Sequence, residues 1–248
     1  MEVTTKQVNN NKNDNAVETE LHDIIENDLY ITNPEQWLQN LTERYEYVCI
    51  VLFRGHWCKF DEHYLKLLGR YQVDHMQPEG EVKLIAWTSE GPEGARQADE
   101  AWSLRNKYGY AAVLGDNTCA LGKYMQETEL LPKLVISSAE EAHLPKDRVS
   151  KDAYPNGLVQ PGMMFYAHHG VEVLHWEARV SRPFYGATTR PVPSEVWRKV
   201  KKRKKSLDEG NAIMPVKGTK LAQCTSALEV YTNHMPAISK ILHKTAVV

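Results

Sequence analysis

The stretch VLFRGHWCKFDEHYLKLLGRY, residues 51–71, decides how this chain is read. An apolar run ends at Arg54-Gly55, a tryptophan and a cysteine follow, and helical spacing begins. Extended backwards, YEYVCIVLF (45–53) is almost continuously apolar and rich in β-formers, which predicts a strand buried on both faces. Forwards, Phe60, Tyr64, Leu67, Leu68 and Tyr71 form an i, i+4, i+7, i+8, i+11 stripe, and a helix is expected to bury them. Cys58 therefore stands at a strand-to-helix junction. Unpaired N–H groups and the helix dipole there favour an anion and would lower a thiol pKa from its free value of about 8.5. The cations Arg54, His56 and Lys59 act in the same direction. Asp61, one turn on, opposes a second negative charge, and it also suits the first turn of any helix.

Around this stretch strands and helices alternate. In TNPEQWLQNLTERY, Asn33 is placed as N-cap, Pro34 as the first helical residue and Gln36 as a capping-box partner, with Trp37, Leu38, Leu41 and Tyr45 inward. VKLIAWTSE (82–90) reads as a second buried strand. GARQADEAWSLRNKYG then reads as a helix with Ala95, Ala98, Trp102 and Tyr108 inward, ending at Gly109. AAVLGD is a short strand, TCALGKYMQE a short helix and PKLVISS a candidate strand. AEEAHLPKDRVSKDAYPN reads as an exposed loop. In PGMMFYAHHGVEVLHWEA two β runs flank His168-His169-Gly170, the pattern of an antiparallel hairpin. Pro193-Ser194 opens a final helix with Val196, Trp197 and Val200 on one side. The expectation is an α/β, thioredoxin-like three-layer fold with a mixed central sheet, an N-terminal helical addition and a C-terminal tail. Residues 1–20 are expected to be a disordered Asn-rich arm, 21–208 the domain and 209–248 an extension.

Composition narrows the function. The 248 residues are 42% apolar and 25% charged with a net charge of −2, so nothing global recruits nucleic acid or an acidic membrane. No stretch approaches a membrane span, and the polar start MEVTTKQVNNNKNDN lacks a secretory apolar core. A cytoplasmic location is expected, with nuclear targeting or polyanion binding as the functional reading of RKVKKRKK (198–205). Its plainer reading is a solvated last helical turn. The four cysteines Cys49, Cys58, Cys119 and Cys224 show no CxxC spacing, which argues against a disulfide scaffold. His56, Cys58 and His63, and His168, His169 and His175, follow no zinc spacing, so no metal is expected. Neither a phosphate-binding Gly-rich loop nor a G-x-S-x-G elbow is present.

FRGHWCKFDEHYLKLL resembles the active-site segment of the peroxiredoxin-like AhpC/TSA redoxins, which carry F-R-G-x-W-C-P-F/Y-C before a helix. GLVQPGMMFYAHHGVEVLHW resembles a later segment of that family, in which a proline beginning the hairpin lies beside the cysteine. The resemblance covers roughly residues 35 to 206 and implies a thiol redox enzyme. This chain has Lys59 and Asp61 where the pattern has proline and a second cysteine, and Gly55 where true peroxiredoxins have Thr or Ser. By the resemblance Pro161 matches a cis proline, and with Gln160 it would line the groove of an extended thiol substrate.

The leading expectation is reduction of a peroxide or disulfide by Cys58 alone. No cofactor is bound, and an external thiol such as glutathione or thioredoxin recycles the sulfur. Arg54 and His56 would stabilise the thiolate, Trp57 would cover it or form a substrate wall, and Cys224 is a candidate resolving thiol. Cys49 is expected to be a buried core residue. One rival is a biosynthetic enzyme that uses Cys58 as nucleophile or His56 and Asp61 as acid–base groups. Another is a degenerate redoxin serving as an interaction protein. Partners considered are a small-molecule or thiol substrate and a second copy in a homodimer.

Overall fold

The computed structural model describes residues 25, 27–142, 144–167, 170–178 and 190–209. The expected arm, the His168-His169 turn, Cys224 and the extension beyond 209 lie outside the described residues. In chain order come α1 (Leu29–Thr32), α2 (Pro34–Arg44), β1 (Tyr47–Phe53), α3 (Lys59–Tyr71) with a π-helical turn after it, and β2 (Val82–Thr88). Next are α4 (Pro92–Trp102), α5 (Leu104–Tyr108), β3 (Ala112–Gly115) and α6 (Ala120–Glu127). The short pair β4 (Ile136–Ser137) and β5 (Leu158–Val159) precedes the hairpin β6 (Gly162–Ala167) and β7 (Val171–Glu177), and α7 (Pro193–Asp208) closes the order.

The layering follows from β1. All seven of its residues are buried, and the two-residue period of a strand sends them alternately to opposite sides. Cys49, Val51 and Phe53 join Tyr64, Leu65 and Leu68 of α3, Trp102 at the end of α4 and Val196, Trp197 and Val200 of α7 in one core. Val48, Ile50 and Leu52 join Trp37 and Leu41 of α2 and Leu121 and Met125 of α6 in the other. Burying each such large apolar side chain contributes about 1.5–3 kcal/mol. The result is helices on both faces of one sheet, in the order β3-β2-β1-β6-β7. β2 runs parallel to β1 and β3 parallel to β2, while β6 is antiparallel to β1 and β7 to β6. Three parallel strands extended by an antiparallel hairpin, with a cysteine-bearing helix after the central strand, are the thioredoxin-like arrangement.

Local sequence signals hold at α2, where Asn33 Oδ1 accepts the Gln36 N–H at 3.2 Å. The Gln36 amide turns forward to Asn40 instead of completing the capping box. α3 differs from its expected stripe, because Phe60 is 55% and Leu67 45% exposed. The inward face is Asp61, Tyr64, Leu65, Leu68 and Gly69. A stripe drawn from apolar residues alone misses an inward carboxylate, and that carboxylate rotates the buried face. The expected helix through Tyr108 breaks at Ser103, which adopts left-handed φ 56° between α4 and α5. The segment expected as an exposed loop packs Ala139, Ala142, Leu144 and Tyr154 against Leu158, with Trp57 beside them. The expected cis bond at Pro161 is not found: no peptide among the described residues is cis. The Pro161 carbonyl accepts the Ala178 N–H, and the Gln160 N–H donates to Val135, so both backbones are engaged within the fold. No helix among the described residues is long and apolar enough to cross a membrane.

Candidate functional site

Where β1 ends, the chain turns through Arg54 and Gly55, and the Cys58 N–H donates back to the Gly55 carbonyl at 3.0 Å. The turn is glycine because space forbids anything larger. A Cβ at Gly55 would lie 2.3 Å from Tyr154 Oη and 2.6 Å from Glu90 Oε2. Cys58 leaves the turn extended and caps α3: its Sγ accepts the Asp61 N–H at 3.4 Å. On the same sulfur lies Arg54 Nη2, at 2.9 Å. Of the three expected cations, Arg54 is the one bonded to the thiol. Lys59 is exposed and pairs with Glu62 at 2.7 Å. His56 pairs with Glu90, through its N–H to one oxygen and Nδ1 to the other, both at 2.8 Å.

Asp61 is drawn inside with the sulfur. It is 1% exposed and Cys58 is 2% exposed. Asp61 Oδ2 accepts the Arg54 N–H at 3.0 Å and lies 3.6 Å from Arg54 Nε, while Oδ1 accepts from Arg190. The arrangement is thus a thiol, a carboxylate and two guanidiniums, all largely withdrawn from water. Burial pushes the Cys58 thiol up to about 12, with Asp61 adding to the rise and Arg54 pulling against it. The lowered thiol pKa expected from position alone is overturned. A helix N-terminus is worth about 1 kcal/mol, and desolvation of a buried sulfur outweighs it.

A second layer holds the turn in place. Tyr154 Oη donates to the Arg54 carbonyl at 2.7 Å and accepts Trp57 Nε1–H at 2.8 Å. The Arg54 guanidinium sits 5.2 Å over the Trp57 ring. Glu90, Tyr154 and Arg190 had no place in the sequence reading. They lie 34, 100 and 129 residues from the groups they bind, so no local pattern links them. Gln160 is buried, with Nε2 3.4 Å from Ser137 Oγ and Oε1 without a partner.

The other described cysteines differ. Cys49 is fully buried within β1, and burial pushes its thiol up. Cys119 stands at the N-cap position of α6 in a left-handed conformation without a side-chain cap, donates to the Gly157 carbonyl at 3.1 Å and is pushed up to about 11 by burial and Asp116. All three described cysteines are free. The basic run 198–205 lies within α7, with Lys201 paired to Glu79 and Lys204 to Glu46 and Asp208.

No protein-family model matches this chain, and no curated protein does. Among solved structures it is similar to Enterococcus faecalis AhpC at 10% identity, over 68% of this chain and 81% of that one, with a TM-score of 0.45. It is similar to the reduced 2-Cys peroxiredoxin of Plasmodium vivax at 12% identity, over 66% and 80%, with a TM-score of 0.40. Peroxiredoxin 6 of Arenicola marina is similar at 15% identity, over 77% and 78%, also with a TM-score of 0.40. These are likenesses of fold, while the thioredoxin-like class stands on the strand order and directions given above.

Proposed function

We propose that the protein is a thiol-dependent oxidoreductase in which Cys58 alone reacts with a peroxide or disulfide and an external thiol restores it. The observation that carries this reading is the Arg54 guanidinium 2.9 Å from Cys58 Sγ, at the start of a helix whose Asp61 N–H points to the same atom. Two donors, one of them cationic, converge on one sulfur and favour its thiolate, offsetting part of the cost of burial, which still holds the thiol up.

With a hydroperoxide ROOH, the Cys58 thiolate forms an S–O bond as the O–O bond breaks. Alkoxide leaves, takes a proton and departs as ROH, and the cysteine becomes a sulfenic acid. An external thiol then forms a mixed disulfide with loss of water. A second thiol attacks that disulfide, returning Cys58–SH and an external disulfide. Asp61 stands where a second thiol would close the cycle within the chain, so both reducing equivalents come from outside. With Cys58 only 2% exposed, reaction with a peroxide or disulfide needs a local opening of the turn that carries it.

The sign of the pH dependence follows from the thiol. The thiolate is the reacting form, and a thiol pushed up to about 12 is protonated at neutral pH. Reaction of Cys58 with iodoacetamide and with hydrogen peroxide is therefore expected to rise about tenfold per pH unit from pH 7 upward. Mass-spectrometric trapping of Cys58 sulfenic acid with dimedone after peroxide exposure tests the reaction itself. If no adduct forms at any pH at which the fold persists, and no mixed disulfide forms on Cys58 with a disulfide substrate, the oxidoreductase reading fails.

A second reading is favoured by the same burial: a thiol 2% exposed and pushed up to about 12 also suits a structural helix cap in an interaction protein. On that reading Cys58→Ser keeps full stability and loses nothing measurable with peroxides or disulfides.

A further inference from the structure

Asp61 is shared between two arginines reaching it from opposite ends of the domain. Arg54 comes from the turn after β1 and touches both the carboxylate and the Cys58 sulfur. Arg190 comes from the segment leading into α7, has a side chain only 7% exposed, and bonds the other carboxylate oxygen. Its guanidinium also lies 5.6 Å over the ring of Tyr64, on the buried face of α3. Nothing in the thiol chemistry as described so far employs Arg190.

Charge pairing gives it a task. In a site shielded from water, the charge that Cys58 gains on ionising is balanced best by the Arg54 guanidinium, just as the Asp61 carboxylate is balanced by Arg190. That balance requires each cation to keep its own anion, Arg190 with Asp61 and Arg54 with Cys58. Arg54 has a choice, because the carboxylate and the sulfur are both within its reach. An Asp61 without Arg190 would draw the Arg54 guanidinium to itself, and the sulfur would lose its one cationic donor. The other ionisable groups around the turn are committed elsewhere: His56 to Glu90, and Tyr154 to the Arg54 carbonyl and Trp57. Tyr64 is held protonated by burial.

We propose that Arg190 is a positioning residue: by holding the Asp61 carboxylate it frees the Arg54 guanidinium for Cys58 and so sets how readily that thiol ionises. It touches neither the sulfur nor a substrate, and it acts through Asp61. The proposal deepens the oxidoreductase reading, since it rests on Cys58 being the thiol that reacts. On this reading any displacement that lifts Arg190 from Asp61 lowers the reactivity of Cys58.

The test is a double-mutant cycle on the rate of Cys58 alkylation by iodoacetamide, followed across pH by peptide mass spectrometry in the full chain. Cys119 in the same samples serves as internal control. Arg190→Gln is expected to slow labelling about tenfold at a given alkaline pH and to move the profile upward, and Arg190→Lys to restore most of the rate. Asp61→Asn is expected to speed labelling about tenfold. In the Asp61→Asn background, Arg190→Gln is expected to change the rate less than about twofold, since there is no longer a carboxylate to restrain. An Arg190→Gln profile equal to that of the natural chain overturns the proposal. So does an Arg190→Gln effect that persists undiminished beside Asp61→Asn. Should Arg190→Gln alone fail to fold, the double variant, which removes the whole pair, must still match Asp61→Asn, and a mismatch overturns the proposal equally. Alkylation needs no peroxide, so the two readings fail separately. A profile that obeys the cycle in a protein inert to peroxides and disulfides sinks the oxidoreductase reading alone, while the reverse result sinks the role of Arg190 alone.

Discussion

Two of the described helices begin on a cysteine, and the two sulfurs are treated in opposite ways. Cys58, at the start of α3, accepts: the Asp61 N–H and Arg54 Nη2 both point at its Sγ. Cys119, at the start of α6, donates its proton to the Gly157 carbonyl at 3.1 Å. Each has an aspartate nearby, yet Asp61 is answered by Arg190, whereas Asp116 is occupied with the N–H and hydroxyl of Thr118 and the N–H of Leu121. Burial raises both thiols, to about 12 and about 11. The lesson is that a helix N-terminus by itself marks neither sulfur for chemistry. What separates them is a guanidinium bonded to the sulfur at one and a carbonyl, with the Ser89 side chain, at the other, supplied by the rest of the fold.

The comparison breaks most readily at the sulfurs themselves. Cys58→Ser is expected to reduce peroxide consumption by about 100-fold or more, and Cys119→Ser to leave it within about twofold, as read in a coupled thiol-oxidation assay. Equal losses from the two would dissolve the distinction.

Next in size is the packing that holds the Cys58 turn. Gly55→Ala forces a Cβ against Tyr154 Oη and Glu90 Oε2. It is expected to cost about 1–3 kcal/mol in urea unfolding and to speed limited proteolysis between residues 139 and 156. A neutral Gly55→Ala would show that the Tyr154 contact is not rigid.

A smaller effect is expected at the other helix start. Asp116→Asn weakens the hydrogen bonds that begin α6 and is expected to cost about 1 kcal/mol of stability and to speed Cys119 labelling about threefold, because Asp116 helps to hold that thiol up. Cys119 labelling that stays unchanged in this variant would mean that Asp116 has no hold on its thiol.

Smallest near neutral pH is the linkage to ionisation. Both thiols have folded values above the unfolded one of about 8.5. The unfolded chain therefore releases those protons first as pH rises. Their contribution to stability is fully present below about pH 8.5 and is lost as pH climbs toward about 11 and 12. Urea midpoints that hold steady across that window would place water at the sulfurs.

Much of this was legible along the chain. Val48, Ile50 and Leu52 against Cys49, Val51 and Phe53 could be assigned to two faces from the apolar run alone, because a continuously apolar strand must be covered twice. Asn33 and Pro34 announced α2 for reasons confined to one turn of backbone. Reading failed where an interior position is polar or a partner is remote. The apolar stripe places Phe60 and Leu67 in the core, because hydrophobicity has no way to count Asp61 as buried. Tyr154 was given to an exposed loop because Arg54 and Trp57, the groups that bury it, are about a hundred residues away.

The sequence by itself determined the alternation of strands and helices, the double covering of β1 and the position of Cys58 at a strand-to-helix junction. All of these follow from side-chain periodicity and from capping, which act over a few residues. Only the tertiary structure decided what that junction holds. It turned His56 to Glu90, brought Arg190 across the domain to Asp61 and set Arg54 on the sulfur. It also withdrew the thiol from water, so that its pKa rises instead of falling. The physical reason is that ionisation depends on desolvation and on charges a few ångströms away in space, and neither quantity is written in the order of neighbours along the chain.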